Sequence, residues 1–305
     1  MMKHKIQYLL FALLLIGFQS FAQEDDKEDS KSNIQTYTPS KLLNKGDWDF
    51  KVFNNLYTQT KRDESGKTLT EARSNFFTST FETYTGVSEN ARINIGLVLN
   101  VKSNTFGKSA TSVFSFGNDF ITSRSGLSSI GLSIKYQPFK SISNFSVQST
   151  FHIPVFKDQP KSYLDKRSYV FENKYFYDTT FGSNNNWQFF AELDFAYSFG
   201  ENKTDASADE NSDERFANNS LGVPVSVFLS HFISDEFTMY VNAQHYELFD
   251  FGNKFTQNYT LLGFGGKYQL NESLNLEASY GNFVRGRDNG LGQTFNIGLR
   301  YLLTK

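Results

Sequence analysis

The chain reads as all-β, a transmembrane antiparallel up-and-down β-barrel of about twelve strands with both termini on the periplasmic side. Three observations predict it: strand-length segments that alternate apolar and polar residues, an amino-terminal export signal, and many aromatic residues in a chain of low mean hydropathy. Residues 91–102, ARINIGLVLNVK, show the pattern. Ala91, Ile93, Ile95, Leu97, Leu99 and Val101 share one face, while Arg92, Asn94, Gly96, Asn100 and Lys102 share the other with Val98. Successive strand side chains take opposite faces, so such a segment is a wall with one greasy and one wet side.

Residues 1–22 have the order of a signal peptide: Lys3 and Lys5, an apolar run from Tyr8 to Phe18, then Ser20-Phe21-Ala22 as a small-x-small cleavage site. That run is too short to span a bilayer, which takes roughly twenty residues. Residues 23–46 open with Glu24, Asp25, Asp26, Glu28 and Asp29 and lack periodicity, so they are expected to be a flexible periplasmic lead-in. Pro39-Ser40-Lys41-Leu42-Leu43 offers the alternative of a short turn entering the barrel mouth. The barrel itself is expected over residues 47–303.

Turn chemistry divides that barrel. Short connections fall at 86–90, 138–144, 182–186, 234–236 and 271–273, and longer polar ones at 61–70, 103–125, 155–166, 200–219, 250–254 and 286–290. Short periplasmic turns alternate with longer outer loops in barrels of this kind. Strict alternation requires a strand over 168–179, where Tyr169, Phe171, Tyr175 and Tyr177 share one parity. The expected strands are 47–59, 72–85, 91–102, 126–137, 144–154, 168–179, 187–199, 220–233, 237–249, 255–269, 274–285 and 291–302. Trp48, Phe145, Trp187 and Phe237 open upward strands on the lipid-facing parity, and Tyr136, Tyr268 and Tyr301 close downward ones, which predicts an aromatic girdle at the periplasmic interface. A soluble sandwich or lipocalin-like barrel also alternates, but it would have to pack its apolar face inside.

Parity gives a lumen-facing set: Lys51, Glu82, Arg92, Lys102, Lys135, Glu172, Lys174, Asp178, Glu192, Asp194, Lys267, Glu277, Arg285 and Arg300. Asn100, Gln148, Gln188, Asn242, Gln244 and Asn275 add amides, with Tyr240 and Tyr246 between them. Lys51, Arg92, Lys135 and Arg300 should make a basic sector, faced by an acidic one of Glu172, Asp178, Glu192 and Asp194. The expected activity is a small, weakly selective channel for small polar or amphipathic solutes. The alternative is a barrel closed by its own charges and acting through its outer loops, because twelve strands lie between the filled eight-stranded barrels and the open sixteen-stranded ones.

Enzymatic chemistry finds little support. The absence of cysteine removes disulfides, thiolate catalysis, Cys-ligated metals and a lipoprotein anchor. His152, His231 and His245 lack metal-ligand spacing, and Ser230 and His231, being adjacent in a strand, face opposite sides. A membrane-embedded hydrolase would need a nucleophile and base on one face. The acidic run Asp209 to Glu214 lacks the glycine and the final glutamate of a calcium loop. No cofactor or metal is expected. Near-neutral net charge excludes nucleic acid as a partner. The partners expected instead are outer-membrane lipid and lipopolysaccharide.

At the carboxyl end, Asn296, Gly298, Tyr301 and Leu303 resemble the C-terminal assembly signal of outer-membrane barrels, though Thr304 and Lys305 follow where that family more often stops on an aromatic. The resemblance implies a Gram-negative outer membrane and recognition by the barrel-assembly machinery. Glutamine after the cleavage site and the Phe/Tyr/Asn-rich style look like barrels of Bacteroidetes-type bacteria. The hairpin Arg285-Gly286-Arg287-Asp288-Asn289-Gly290 resembles transporter barrels of the phenol-degradation meta-pathway type.

Overall fold

A computed structural model describes residues 40–64, 66–119, 121–157, 164–200, 218–251 and 256–305. Twelve antiparallel strands close on themselves: β1 (Trp48–Glu64), β2 (Lys67–Gly86), β3 (Ile93–Phe106), β4 (Ser123–Tyr136), β5 (Phe145–Pro154), β6 (Val170–Phe181), β7 (Trp187–Ser198), β8 (Ser220–Phe232), β9 (Phe237–Asp250), β10 (Gln257–Gln269), β11 (Leu274–Arg287) and β12 (Gly290–Leu303). Each strand pairs with its sequence neighbours, and β1 closes the ring against β12 from Trp48↔Leu303 to Arg62↔Gly290. Closure leaves no edge of unpaired N–H and C=O groups, which is what a wall in hydrocarbon requires. All the expected strands form, including the one over 168–179, which begins at Val170. The signal peptide and the acidic run 209–214 lie outside the described residues.

Two connections differ from expectation. The polar stretch 61–70 continues β1 and β2 as a paired hairpin, with Glu64 opposite Lys67. Alternating Lys, Arg, Thr and Glu residues suit a strand that needs no lipid face, so polarity there marks a projecting hairpin rather than a loop. After β3, residues 107–122 carry a short 3-10 helix, Ala110–Ser115, that packs against the outer face of the wall. Phe114 and Phe116 meet the outward Phe77 edge-on at 5.3 and 6.0 Å, and the Ser103 hydroxyl donates to the Val113 carbonyl at 2.7 Å.

The inside–outside logic is inverted relative to a soluble barrel. Exposed side chains include Ile297 and Leu132 at 62 % each and Val241 at 57 %, whereas fully buried inward ones include Asn104, Thr150, Thr238 and Ser146. A soluble sandwich would show the reverse. The apolar surface belongs in lipid.

The start of β1 and the end of β12 lie at one end of the barrel, termed the near end. The last part of the lead-in does not trail away from it, as a flexible segment would. Ser40, Leu42 and Leu43 are buried, and Leu43 clusters with the inward Tyr84 and Leu302. The Leu43 N–H donates to Asn94 Oδ1 (3.3 Å), and Gln137 Nε2 donates to the Ser40 carbonyl (3.3 Å). Residues 40–46 pack at the mouth, where Leu43 finds an apolar partner just inside it.

Candidate functional site

The lumen is the one concave, polar surface that the wall creates, so the inward side chains are the candidate site. Register settles their orientation. Lys51 sits opposite both Glu82 and Arg300, and Lys174 lies between Gln148 and Asp194. Lys135, Glu172, Asp178, Glu192, Lys267 and Glu277 take the same inward parity.

Two of the parity assignments change. A bulge between Thr260 and Leu261 in the β10–β11 pairing sets Arg285 opposite Thr260, one step out of phase with Phe283 opposite Leu261. An extra residue in a strand flips everything beyond it to the other face, so Arg285 leaves the lumen. Arg92 precedes β3, at the near rim, where its guanidinium donates to the Gln137 carbonyl (2.5 Å) instead of lining the bore.

The two opposed sectors of charge are also not what the side chains make. Asp49, which the lumen-facing set read from the sequence omits, accepts two bonds from Arg300 (2.9 and 2.8 Å) and faces Lys51 at 3.5 Å. Lys51 also reaches Glu82 (3.5 Å). On the other wall Lys174 is shared by Glu172 (3.5 Å), Glu192 (3.6 Å) and Asp194 (3.2 Å). Each sector thus contains its own counter-charges, as partly buried ions require. Lys267 faces Glu277 at 3.9 Å, and the Tyr240 hydroxyl donates to Glu277 (2.5 Å). Asp178 lies near the near end, where Gln188 Nε2 donates to it (3.3 Å).

Large inward side chains lie flat against the wall because the residue opposite is often glycine. A Cβ built on Gly265 would meet the Tyr240 ring at 2.5 Å, and one on Gly96 would meet Tyr84 at 2.4 Å. Phe53 lies over Gly298 and His152 over Gly131 in the same way. The glycine supplies a recess, so the ring covers backbone instead of crossing the bore.

Rings also run around the interior. Tyr246, Tyr259, Phe283, Tyr57 and Phe76 follow one another at centroid distances of 5.3, 4.6, 4.7 and 6.0 Å. A second arc, Phe176, Phe190, Phe228 and Tyr240, runs at 6.2, 5.6 and 5.5 Å on β6 to β9. Lys135 sits over the Phe176 ring at 4.8 Å. Neither arc was anticipated, although inward parity at Phe76, Phe190 and Phe228 would have found them.

The filling is lopsided. Residues 164–168, in the connection between β5 and β6, fold into the lumen. Lys102 pairs with Asp165 (2.7 Å), and Asn104 Nδ2 donates to the Leu164 carbonyl (2.9 Å). Between this segment and the wall of β2 to β6 lies a cavity of about 230 Å³. At the near end a second hollow, of about 160 Å³, opens on the side of β10 to β12 and β1, lined among others by Lys51, Phe53, Lys267, Glu277 and Arg300.

The residues considered for catalysis do not assemble. Ser230 is inward and buried, whereas His231 is outward, tilted against Trp187 at 4.5 Å. His152 faces Glu172 at 3.5 Å and has Thr150, not a nucleophile–oxyanion pair, beside it. His245 is outward, next to Thr260 (3.0 Å).

The outward aromatics of the near end lie where parity put them. Trp48 stacks on Phe50 (5.9 Å), which meets Tyr301 (6.5 Å); Phe237 meets Tyr268 (6.5 Å) and Trp187 meets Phe181 (6.4 Å). Phe145 lies against Phe139 (5.7 Å), and Tyr136 pairs with Ile93 and Val147. In β12, Asn296 accepts from Asn55 Nδ2 (2.6 Å) and donates to Ser279 (3.0 Å), Gly298 receives Phe53, and Leu303 pairs with Trp48.

No family model matches the chain, and no curated protein matches it. Solved structures do. An outer membrane channel from Pseudomonas putida F1 superposes with a TM-score of 0.65 at 12% identity, over 88% of this chain and 98% of that one. The β domain of the Bordetella autotransporter BrkA gives 0.52 at 13% identity, over 84% and 98%. At these identities the likeness is one of fold: this chain has the fold of an outer-membrane β-barrel.

Proposed function

We propose that the protein is a channel of a Gram-negative outer membrane, admitting small polar or amphipathic solutes with weak selectivity. The near end then faces the periplasm and the β1–β2 hairpin the outside. The observation that carries this reading is the interior of β8 to β11. There the inward faces present Ser226, Gly263, Gly265, Ser279 and Gly281, with Tyr240 laid back over Gly265, and no segment among the described residues enters. Locally balanced charges favour neither ion sign strongly, and the aromatic arcs offer surface to an amphipathic solute. The fold of the Pseudomonas putida channel and the likeness of the 285–290 hairpin to transporter barrels support the same reading.

A second reading, a barrel closed by its own contents, draws on Lys135. This buried side chain lies over the Phe176 ring at 4.8 Å, toward the end that also holds Asp49, Lys51 and Arg300, so charge fills part of the near-end lumen. Reconstitution of the full mature chain in planar bilayers decides between them. Discrete conductance steps support the channel, and a silent, correctly folded barrel favours the closed form.

A further inference from the structure

The cavity under residues 164–168 has two walls of opposite local charge. On the β6 side Glu172 and Lys174 line the cavity, and Lys174 is shared between Glu172 and two carboxylates of β7 behind it, Glu192 and Asp194, so carboxylates outnumber the ammonium there. On the facing segment Asp165 is taken by Lys102. Its neighbour Lys166 lines the same cavity and has no carboxylate within 4.0 Å of its ammonium among the described residues. Burial holds the Lys166 ammonium below the usual lysine range, with Lys102 adding to the effect and Asp165 opposing it. A half-buried cation without a counter-ion still carries a desolvation cost, and a carboxylate supplied from outside would relieve it.

Neutral groups complete the site. Gln148, Ser168 and His152 line the cavity, and the hydroxyl of Ser168 is buried without a partner among the described residues. His152 directs Nε2 at Glu172 and lies over Gly131. A volume of about 230 Å³ is far more than the ~10–15 Å³ that one water needs.

We infer that this cavity is a binding site for a small zwitterion, whose carboxylate meets Lys166 and whose ammonium meets Glu172 beside Lys174. The inference rests on the channel reading only for its purpose, since it makes the site a resting point for solute in the lumen. A simple anion would satisfy Lys166 but add charge beside Glu172. A simple cation would leave Lys166 bare. Only a molecule bearing both groups matches both walls.

The test uses the full mature chain, folded in detergent, and calorimetric titration with L-serine, lactate (no ammonium) and L-serinamide (no carboxylate). L-serine is expected to bind saturably, the other two at least tenfold more weakly. Lys166→Gln should weaken L-serine at least tenfold while leaving heat-modifiable gel mobility unchanged, and Lys166→Arg should retain it. Equal binding of the three probes, an unaffected Lys166→Gln variant, or no saturable binding of L-serine overturns the assignment. Bilayer recordings on the same preparation separate the two ideas: conductance without serine binding removes the site and keeps the channel, and serine binding without conductance does the opposite.

Discussion

The half of the interior formed by β2 to β6 and the half formed by β8 to β11 are built from the same alternating strands, yet among the described residues only the first is filled by chain. Residues 40–46 enter it from the near end and residues 164–168 from the other, and both find inward groups that answer them: Tyr84 and Asn94 for the leucine segment, Lys102 and Asn104 for the loop. The opposite half sets small residues between large inward ones, of which Tyr240, Tyr246 and Leu261 lie in glycine recesses. Strand alternation decides which residues face the lumen. The size and charge of those residues decide which part of the lumen stays open.

That contrast presupposes the assignment of inside and outside, and the largest expected effect breaks it if it is wrong. Val241 is 57 % exposed on the lipid face of β9 and Asn242, the next residue, faces the lumen. Val241→Arg is expected to cost about 2–4 kcal/mol at mid-bilayer and to abolish heat-modifiable mobility, while Asn242→Arg assembles. Equal behaviour of the two would mean that the parity is misassigned.

Next in size is the recess behind Tyr240. Gly265→Leu places carbon where the ring lies, 2.5 Å from its Cζ, and Ser279 closes the other side at 2.6 Å. The ring must swing into the bore, so single-channel conductance should fall severalfold. Gly131→Leu, which displaces His152 in the filled half, should change it little. Similar losses from both would show that the halves conduct alike.

The near-end segment gives a smaller effect of opposite sign. Leu43→Asp removes an apolar contact with Tyr84 and Leu302 worth roughly 1.5–3 kcal/mol for a fully buried leucine. Release of residues 40–46 is expected to raise conductance and to expose Lys41 and Lys45 to trypsin, with the barrel intact. Unchanged cleavage would show that the leucine does not hold the segment.

The smallest effect lies outside the lumen, in the 107–122 connection. Asp119 accepts from the Thr122 hydroxyl (2.6 Å) and backbone (2.7 Å), from Lys108 (3.0 Å) and from the N–H groups of Ile121 (3.0 Å) and Ser123 (2.8 Å). The Thr122 hydrogen bonds, more than any other contact, hold its carboxyl well below the usual carboxylate range. A depressed folded-state pKa stabilises above the unfolded value and is lost only as pH falls through the folded one. Proteolysis of this connection should therefore stay constant from neutral pH down through the normal titration range of aspartate. Asp119→Asn should quicken it at every pH while leaving conductance unchanged.

Much of this could be read in the sequence because alternation is a local property. The twelve strands, their order and the inward parity of Lys51, Lys135, Glu172, Asp194, Lys267 and Arg300 all follow from residues i and i+2. Arg285 was misread because a bulge is set by pairing across two strands, and nothing in residues 274–287 alone announces it.

By itself, then, the sequence determined the wall: how many strands, which face is greasy, and most of the charges that look inward. Only the tertiary structure decided how the lumen is occupied: that Asp49 rather than a distant carboxylate answers Arg300, that Leu43 turns in beneath Tyr84, and that residue 165 reaches Lys102. The physical reason is distance along the chain. Period-two patterning is felt within a few residues, whereas a buried charge or leucine is satisfied by whatever group closure of the barrel brings opposite it, from 40 to 250 residues away.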